Sequence, residues 1–292
     1  MPQSLRPPRL PLAGIILLGA LLFFVRLGAV GLFDADEPAY AVAAREMRET
    51  GDWVTPTFNG QPRFDKPIVF YYLIALAYAV FGVNEFAVRF WPAAAGVALG
   101  ALVFQLGRRH APAAAGTAAL VFLLNPLTWV MGRAGVTDML FALCLTGCLA
   151  FAYEALAGST DACRRRAWLG AAVCSGLAVL IKGPVGLVLP GLILLAYGLL
   201  TGKHRPAVWW RGILPAAALF LVLVLPWYLL VLRANGWAFV ESFIIKHHLA
   251  RYTGEVSGHA APVCRQRAGC FMRARLPTGL RLSPNASVGC CG

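Results

Sequence analysis

Apolar runs long enough to cross a bilayer, separated by short basic clusters, restrict what this chain can fold into more than any other feature. The runs cover residues 10–33, 86–106, 113–131, 136–156, 167–181, 185–200 and 212–232. Most approach the roughly 20 residues that a helix needs to traverse a hydrocarbon core of about 30 Å. With 59% hydrophobic and 13% charged residues, the chain has about half the charge expected of a soluble domain, which is typically about 25%. A polytopic, all-helical integral membrane protein follows.

The net charge of +13 does not point to nucleic acid. Its basic residues stand between apolar runs, as Arg108-Arg109-His110, Arg164-Arg165-Arg166 and Lys203-His204-Arg205, and this is the distribution of cytoplasmic loops. Nor do the eight cysteines form a metal or disulfide framework, because no ligand spacing links them. Cys144 and Cys148 share a helix face and read as small packing residues.

Arg6 and Arg9 precede the first run, which only Arg26 interrupts. This run exceeds a signal-peptide core and lacks a small-x-small cleavage site, so an uncleaved first helix is expected. The run at 67–81 is shorter, and its placement decides the topology. If it crossed, the basic clusters at 108–110 and beyond would lie on the side opposite Arg6 and Arg9. The positive-inside rule therefore favours a surface or re-entrant helix for 67–81, with seven crossings beginning inside.

Acidic residues gather in one window. Eight of the thirteen Asp and Glu residues fall between Asp34 and Glu85, in a loop that this topology places outside. Within it, Asp36-Glu37-Pro38 opens an amphipathic pattern that closes near Thr50-Gly51, with Tyr40, Ala43, Ala44 and Met47 on one face. Proline suits a first turn and glycine a helix end, so a helix lying on the membrane surface is expected. The turns at 132–138 and 182–184 and the segment after Arg233 share that outer side. Ionisable groups held between apolar spans are functional candidates.

These segments carry a resemblance. Phe33-Asp34-Ala35-Asp36-Glu37-Pro38-Ala39-Tyr40, Thr50-Gly51-Asp52-Trp53-Val54, Phe64-Asp65-Lys66-Pro67 and Phe81-Gly82 with Glu85 and Arg89 occur in that order. Thr137-Asp138, Lys182-Gly183-Pro184, Pro226-Trp227-Tyr228 and His248-Leu249 with Arg251-Tyr252 follow. Over roughly residues 10–262 the chain resembles the lipid-linked-sugar glycosyltransferases, which include an aminoarabinose transferase and protein O-mannosyltransferases.

The resemblance implies a GT-C type multispanning bundle with surface helices in the first outer loop. It implies transfer of a sugar from a polyprenyl-phosphate carrier to a lipid A, glycan or protein acceptor, at the outer face of a bacterial inner membrane. Asp36 matches the essential acid, and Asp138 a second acidic residue. Glu37, Lys66, Lys182 and Arg251 are expected at the substrates, with Lys66 near the carrier phosphate. Asp65 and His248 match metal-binding positions in some relatives, so a divalent metal is the one cofactor implied. Each residue also has a plainer role: Asp36 as a helix cap, Asp138 as a solvated loop acid, Lys182 as a snorkelling side chain, Arg251 as an interfacial cation.

Two other readings stand beside this one. A transporter or flippase would explain the apolar spans, although its charges would sit near the midplane on broken helices, often in repeated halves. An inactive fragment is the other, because the pattern fades near Pro262. From 263 to 292 the chain has no acidic residue and no periodicity. It reads as out-of-frame translation, with a disordered basic tail as the competing view, and neither it nor its Asn285-Ala286-Ser287 sequon is assigned a function.

Overall fold

The computed structural model describes residues 11–33, 36–157, 160–201 and 206–243, with backbone alone for 206–211. The expected tail boundary near Pro262, and the candidates His248 and Arg251, lie outside the described residues. Among the described residues the regular secondary structure is helical apart from one two-strand hairpin.

Helix α1 spans Leu12–Phe24 and packs along α4, Glu85–His110. The run at 10–33 is thus not one helix. The chain turns at Val25, which is extended, and at Arg26, whose φ is 54°. Arg133 holds this turn: its guanidinium donates to the carbonyls of Leu22, Phe23, Val25 and Arg26 and stacks on Trp129. Carbonyls at a helix end that have no intrahelical partner are thereby satisfied.

Helix α2, Asp36–Thr50, is the expected amphipathic surface helix. It buries Ala39, Tyr40, Ala43, Ala44 and Met47 and ends at Gly51, where φ is 74°. A hairpin follows, β1 (Thr57–Phe58) paired with β2 (Gln61–Pro62). Its turn residues Asn59 and Gly60 both have positive φ, 53° and 72°, the geometry for which Asn-Gly is selected. Glu46 of α2 anchors it by accepting from Thr57 Oγ1 at 2.6 Å, Asn59 N at 2.9 Å and Gly60 N at 3.2 Å.

Helix α3, Val69–Phe81, contacts α2 through Tyr40, Phe70 and Tyr71, and through the Tyr78 hydroxyl on the Ala41 carbonyl. On α4 its ring and hydrogen-bond partners are Phe86, Phe90 and Trp91, all in the first two turns. With 13 residues, α3 is shorter than the roughly 20 that a crossing helix needs.

The run at 113–131 is also broken. Helices α5 (Ala115–Leu124) and α6 (Pro126–Arg133) meet at 62°. Pro126 has no N–H to donate and disfavours helical backbone before it; Asn125 accordingly lies at φ −65°, ψ 127°, and its side chain caps Leu127 N and Thr128 N. Four more helices follow: α7 (Asp138–Ala157), α8 (Asp161–Lys182), α9 (Val185–Thr201) and α10 (Pro206–Asn235), with the short α11 (Trp237–Val240) last. Of the seven expected crossings, α4, α7 and residues 212–235 of α10 are individually long and apolar enough, and the bent α5–α6 pair makes a fourth. The remaining expected runs correspond to α1 and α9, of 13 and 17 residues, and to α8, which carries Arg164, Arg165 and Arg166 in its first two turns.

Helix direction alternates, so two ends can be told apart. At one, Arg109 pairs with Glu154, while the rings of His110 and Tyr153 lie 5.3 Å apart and those of Tyr153 and Tyr197 6.3 Å apart. At the other, Asn235 Nδ2 donates to Thr55 Oγ1 at 2.8 Å, Trp227 Nε1 donates to the Val54 carbonyl at 3.1 Å, and Lys182 meets Asp138. The acidic loop and the turns at 132–138 and 182–184 therefore share one end.

Close packing between the helices uses glycine as a notch. Fully buried Phe23 lies between Gly96 and Gly132, where an added Cβ would come within 2.9 Å and 2.7 Å of its ring. Gly191 on α9 has nothing within 4 Å. Gly132→Ala is expected to lower the melting temperature of the purified protein, while Gly191→Ala leaves it equal or slightly higher because alanine favours helix by up to about 1 kcal/mol.

Candidate active site

Two carboxylate clusters occupy the loop end. The first is built on α2 and the segment leading to α3. Asp36 opens α2, in the first turn where backbone N–H groups favour negative charge, and its carboxylate lies 3.8 Å from Arg63 Nη2. Arg63 bonds Asp65 far more closely, at 2.6 Å. The faces of Tyr40 and Phe58 hold the guanidinium, 5.6 and 5.7 Å away. Burial works against the Arg63 cation, but Tyr71, Asp65 and Tyr40 outweigh it and its pKa is raised. Burial likewise pushes the Tyr40 phenol well above its ordinary range, so the ring serves as a neutral platform. Lys66, next in the chain, is half-buried.

The second cluster is the Asp138 and Lys182 pair, at 2.6 Å, with Lys182 Nζ 5.2 Å from the centre of the Phe141 ring. Asp138 begins α7 and Lys182 ends α8. An acid at a helix start and a base at a helix end each complement the helix dipole. Both side chains remain partly open, at 46% and 28% exposure. Beside Asp138 lies a cavity of about 330 Å3, lined chiefly by Leu99, Phe122, Leu127, Met131 and Met139.

Glu37, expected as a substrate contact, is placed otherwise. It is fully buried, and its oxygens accept from Phe33 N, Gly135 N and the Arg89 guanidinium. Arg89 is 2% exposed. Removing one partner of such a pair typically costs about 3–5 kcal/mol, since the other charge is left uncompensated. The location of Glu37 beside Asp36 was visible in the sequence, but its direction was not, because helical spacing alone does not say which acid of a pair turns inward.

Asp65, one of the two metal candidates, pairs with Arg63. Among the described residues there is no group of three or more His, Cys, Asp or Glu side chains arranged to hold a metal ion. Arg63 itself, which joins Asp36 to Asp65, stands at the edge of the Phe64-Asp65-Lys66 motif without belonging to it. Only the fold brings it across the first turn of α2.

Known proteins match on these same segments. Residues 65–229 fit the family model described as dolichyl-phosphate-mannose-protein mannosyltransferase. The chain belongs to this family. An undecaprenyl phosphate-alpha-4-amino-4-deoxy-L-arabinose arabinosyl transferase of Pseudomonas fluorescens is 33% identical over 246 residues, which is 83% of this chain and 41% of that protein. An uncharacterized protein of Aquifex aeolicus is 31% identical over 231 residues, 77% of this chain and 42% of its own. The crystal structure of ArnT from Cupriavidus metallidurans bound to undecaprenyl phosphate superposes with a TM-score of 0.74 at 31% identity, over 80% of this chain and 43% of that one. Its apo form gives 0.73. The fold is thus the GT-C membrane bundle, and the chain spans less than half the length of the relatives it matches.

Because Arg63 is the cation common to Asp36 and Asp65, Arg63→Ala is expected to destabilise by roughly 1–2 kcal/mol, the sum of an ion pair and two cation–π contacts of ordinary size. Arg63→Lys should recover only part of this, since the ammonium lacks the planar fork. Thermal unfolding in detergent measures both.

Proposed function

We propose that this protein is a membrane glycosyltransferase that moves a sugar from a polyprenyl-phosphate carrier to a lipid A, glycan or protein acceptor at the outer face of the bacterial inner membrane. One observation carries the reading: Asp36 with Arg63 and Asp65, and Asp138 with Lys182, lie at the same end of the bundle, with half-buried Lys66 next to Asp65 in the chain. Carboxylates facing a cationic cluster at a membrane boundary fit the demands of such a transfer, in which an acceptor must lose a proton while a phosphate departs. The neighbour bound to undecaprenyl phosphate supports the same donor class, and the apolar cavity beside Asp138 suits an isoprenoid chain better than a sugar.

In this mechanism Asp36 takes the acceptor proton or orients the acceptor, as a positioned general base does. Asp138 assists from the second cluster. Lys66 stabilises charge growing on the leaving phosphate, with Lys182 and Arg251 as further cations; electrostatic stabilisation of this kind is often the largest catalytic contribution. The acceptor oxygen bonds to the anomeric carbon as the bond from that carbon to the phosphate oxygen breaks; the electron pair leaves on the carrier phosphate, the acceptor proton goes to the base, and the anomeric configuration inverts. Asp65 with His248 remains the candidate pair for a divalent metal. A transporter would share the broken α5–α6 helix. Uncharged Asn125 and Pro126 form that break, however, and the ion pairs named above sit at the helix ends.

In the complete gene product, Asp36→Asn is expected to reduce sugar transfer from an undecaprenyl-phosphate donor by at least about 100-fold, the scale of lost general-base catalysis. Its melting temperature should hardly move, because the Arg63 contact is long and Asp36 is 44% exposed. Near-normal transfer by this variant would remove the mechanism. Orientation is checked separately by membrane-impermeant thiol labelling in a background without native cysteines. Trp53→Cys should react in intact cells and Arg109→Cys only after the membrane is opened; the reverse pattern would invert the assignment.

A further inference from the structure

The buried Glu37 and Arg89 pair uses every hydrogen-bonding position it has. An arginine carries five N–H donors and an ionised carboxylate about four acceptor sites. Arg89 Nε donates to Glu37 Oε1 at 3.0 Å and Nη2 to Oε2 at 2.7 Å. Its remaining donors go to the carbonyls of Leu27 at 3.2 Å, Val30 at 2.7 Å and Gly31 at 3.0 Å. The remaining sites on Glu37 accept from Phe33 N at 3.0 Å and from Gly135 N. The pair therefore has no capacity left for a substrate.

What it does instead follows from where its partners lie. Glu37 is the residue after Asp36 in the first turn of α2, and Gly135 is three residues before Asp138 at the start of α7. Arg89 is on α4, which packs against both α1 and α7. One carboxylate thus connects the backbone beside the first acidic residue to the backbone leading to the second. The approach at Gly135 is close: a Cβ there would lie 2.7 Å from Val88 Cγ1 and 3.3 Å from Glu37 Oε1.

We propose that Glu37 and Arg89 are positioning residues that set the spacing of Asp36 and Asp138, with Gly135 N–H as the link. The inference rests on the reading of Asp36 and Asp138 as the reacting carboxylates. Misplacement of a catalytic group by about 1 Å can cost about 100-fold in rate. Shortening Glu37 by one methylene, about 1.5 Å, keeps the charge but prevents the carboxylate from reaching Arg89 and Gly135 together.

The test is Glu37→Asp in the complete gene product, assayed with an undecaprenyl-phosphate-linked sugar as donor. The expected result is a kcat per folded molecule lower by about 10- to 100-fold, with donor KM within about twofold, assayed below a melting temperature that the loosened buried pair lowers. A kcat that falls only in proportion to folded protein would overturn the proposal. Should Glu37→Asp not fold, Gly135→Ala disturbs the same link without touching a charge. It is expected to give a loss of kcat that Val88→Ala relieves in part, by removing the closer of the two approaches; no relief at all counts against the link. A second readout is independent of turnover. Spin labels at Arg48→Cys on α2 and Ala157→Cys on α7, in a background without other cysteines, should give one narrow distance in the parent and a broadened or displaced one with Glu37→Asp. An unchanged distance overturns the positioning role even if rates fall. A parent with no transfer activity would instead overturn the proposed function, and the spin-label distance would still decide the geometry.

Discussion

The structure depends on a charge pair placed where charge is least tolerated. Glu37 and Arg89 lie against α1, α2, α4 and the turn before α7, with exposures of 0% and 2%. In such a place an unpaired ion is strongly disfavoured, and a half-satisfied network is worse than none. Saturation resolves this. Each N–H of Arg89 and each acceptor site of Glu37 is used, and several partners are backbone groups of the non-helical segment from Leu27 to Phe33. The same bonds that neutralise the ions therefore hold the irregular segment between α1 and α2, and the surface helix that carries Asp36 is hung from the bundle by them.

Arg133 solves a neighbouring problem in the same way. The chain leaves α1 early, at Val25, and four carbonyls from Leu22 to Arg26 lose or loosen their helical partners. A guanidinium reaching over from α6 collects them. It can do so because Pro126 bends the preceding helix, redirecting α6 and its last residue toward the end of α1. Two arginines thus replace the regular hydrogen bonding that a straight first helix would have supplied, which leaves the segment from Val25 to Phe33 free to descend toward the acidic window.

Membership of the mannosyltransferase family and superposition on ArnT place these features in a known architecture. The family match covers the Asp65-Lys66 segment and both members of the Asp138–Lys182 pair. Each cluster holds a cation against a carboxylate, Arg63 on Asp65 and Lys182 on Asp138, which offsets the negative charge gathered at this end.

Hydrophobic runs and basic clusters were enough to show a helical membrane protein, because a bilayer demands internally satisfied backbone and penalises charge so strongly that composition alone reveals it. The amphipathic pattern from Asp36 to Thr50 likewise gave the surface helix, and the run at 67–81 a short one of 13 residues. The break at Asn125-Pro126 was legible in principle, since proline removes a donor at a known place, yet the apolar residues on both sides concealed it as one span. Nothing local revealed the fate of Glu37. Asp36 and Glu37 are adjacent acids with similar chemistry, and which one turns to a buried arginine 52 residues away is settled by how α2 lies on α4. Nor could the sequence tell that α1 would stop at Phe24, for its signal sits in Arg133, more than 100 residues further on. Sequence determined which segments are apolar, amphipathic or acidic, properties each segment carries by itself. Tertiary structure decided which charges are paired and which stay open, because pairing depends on distances between segments that only packing brings together.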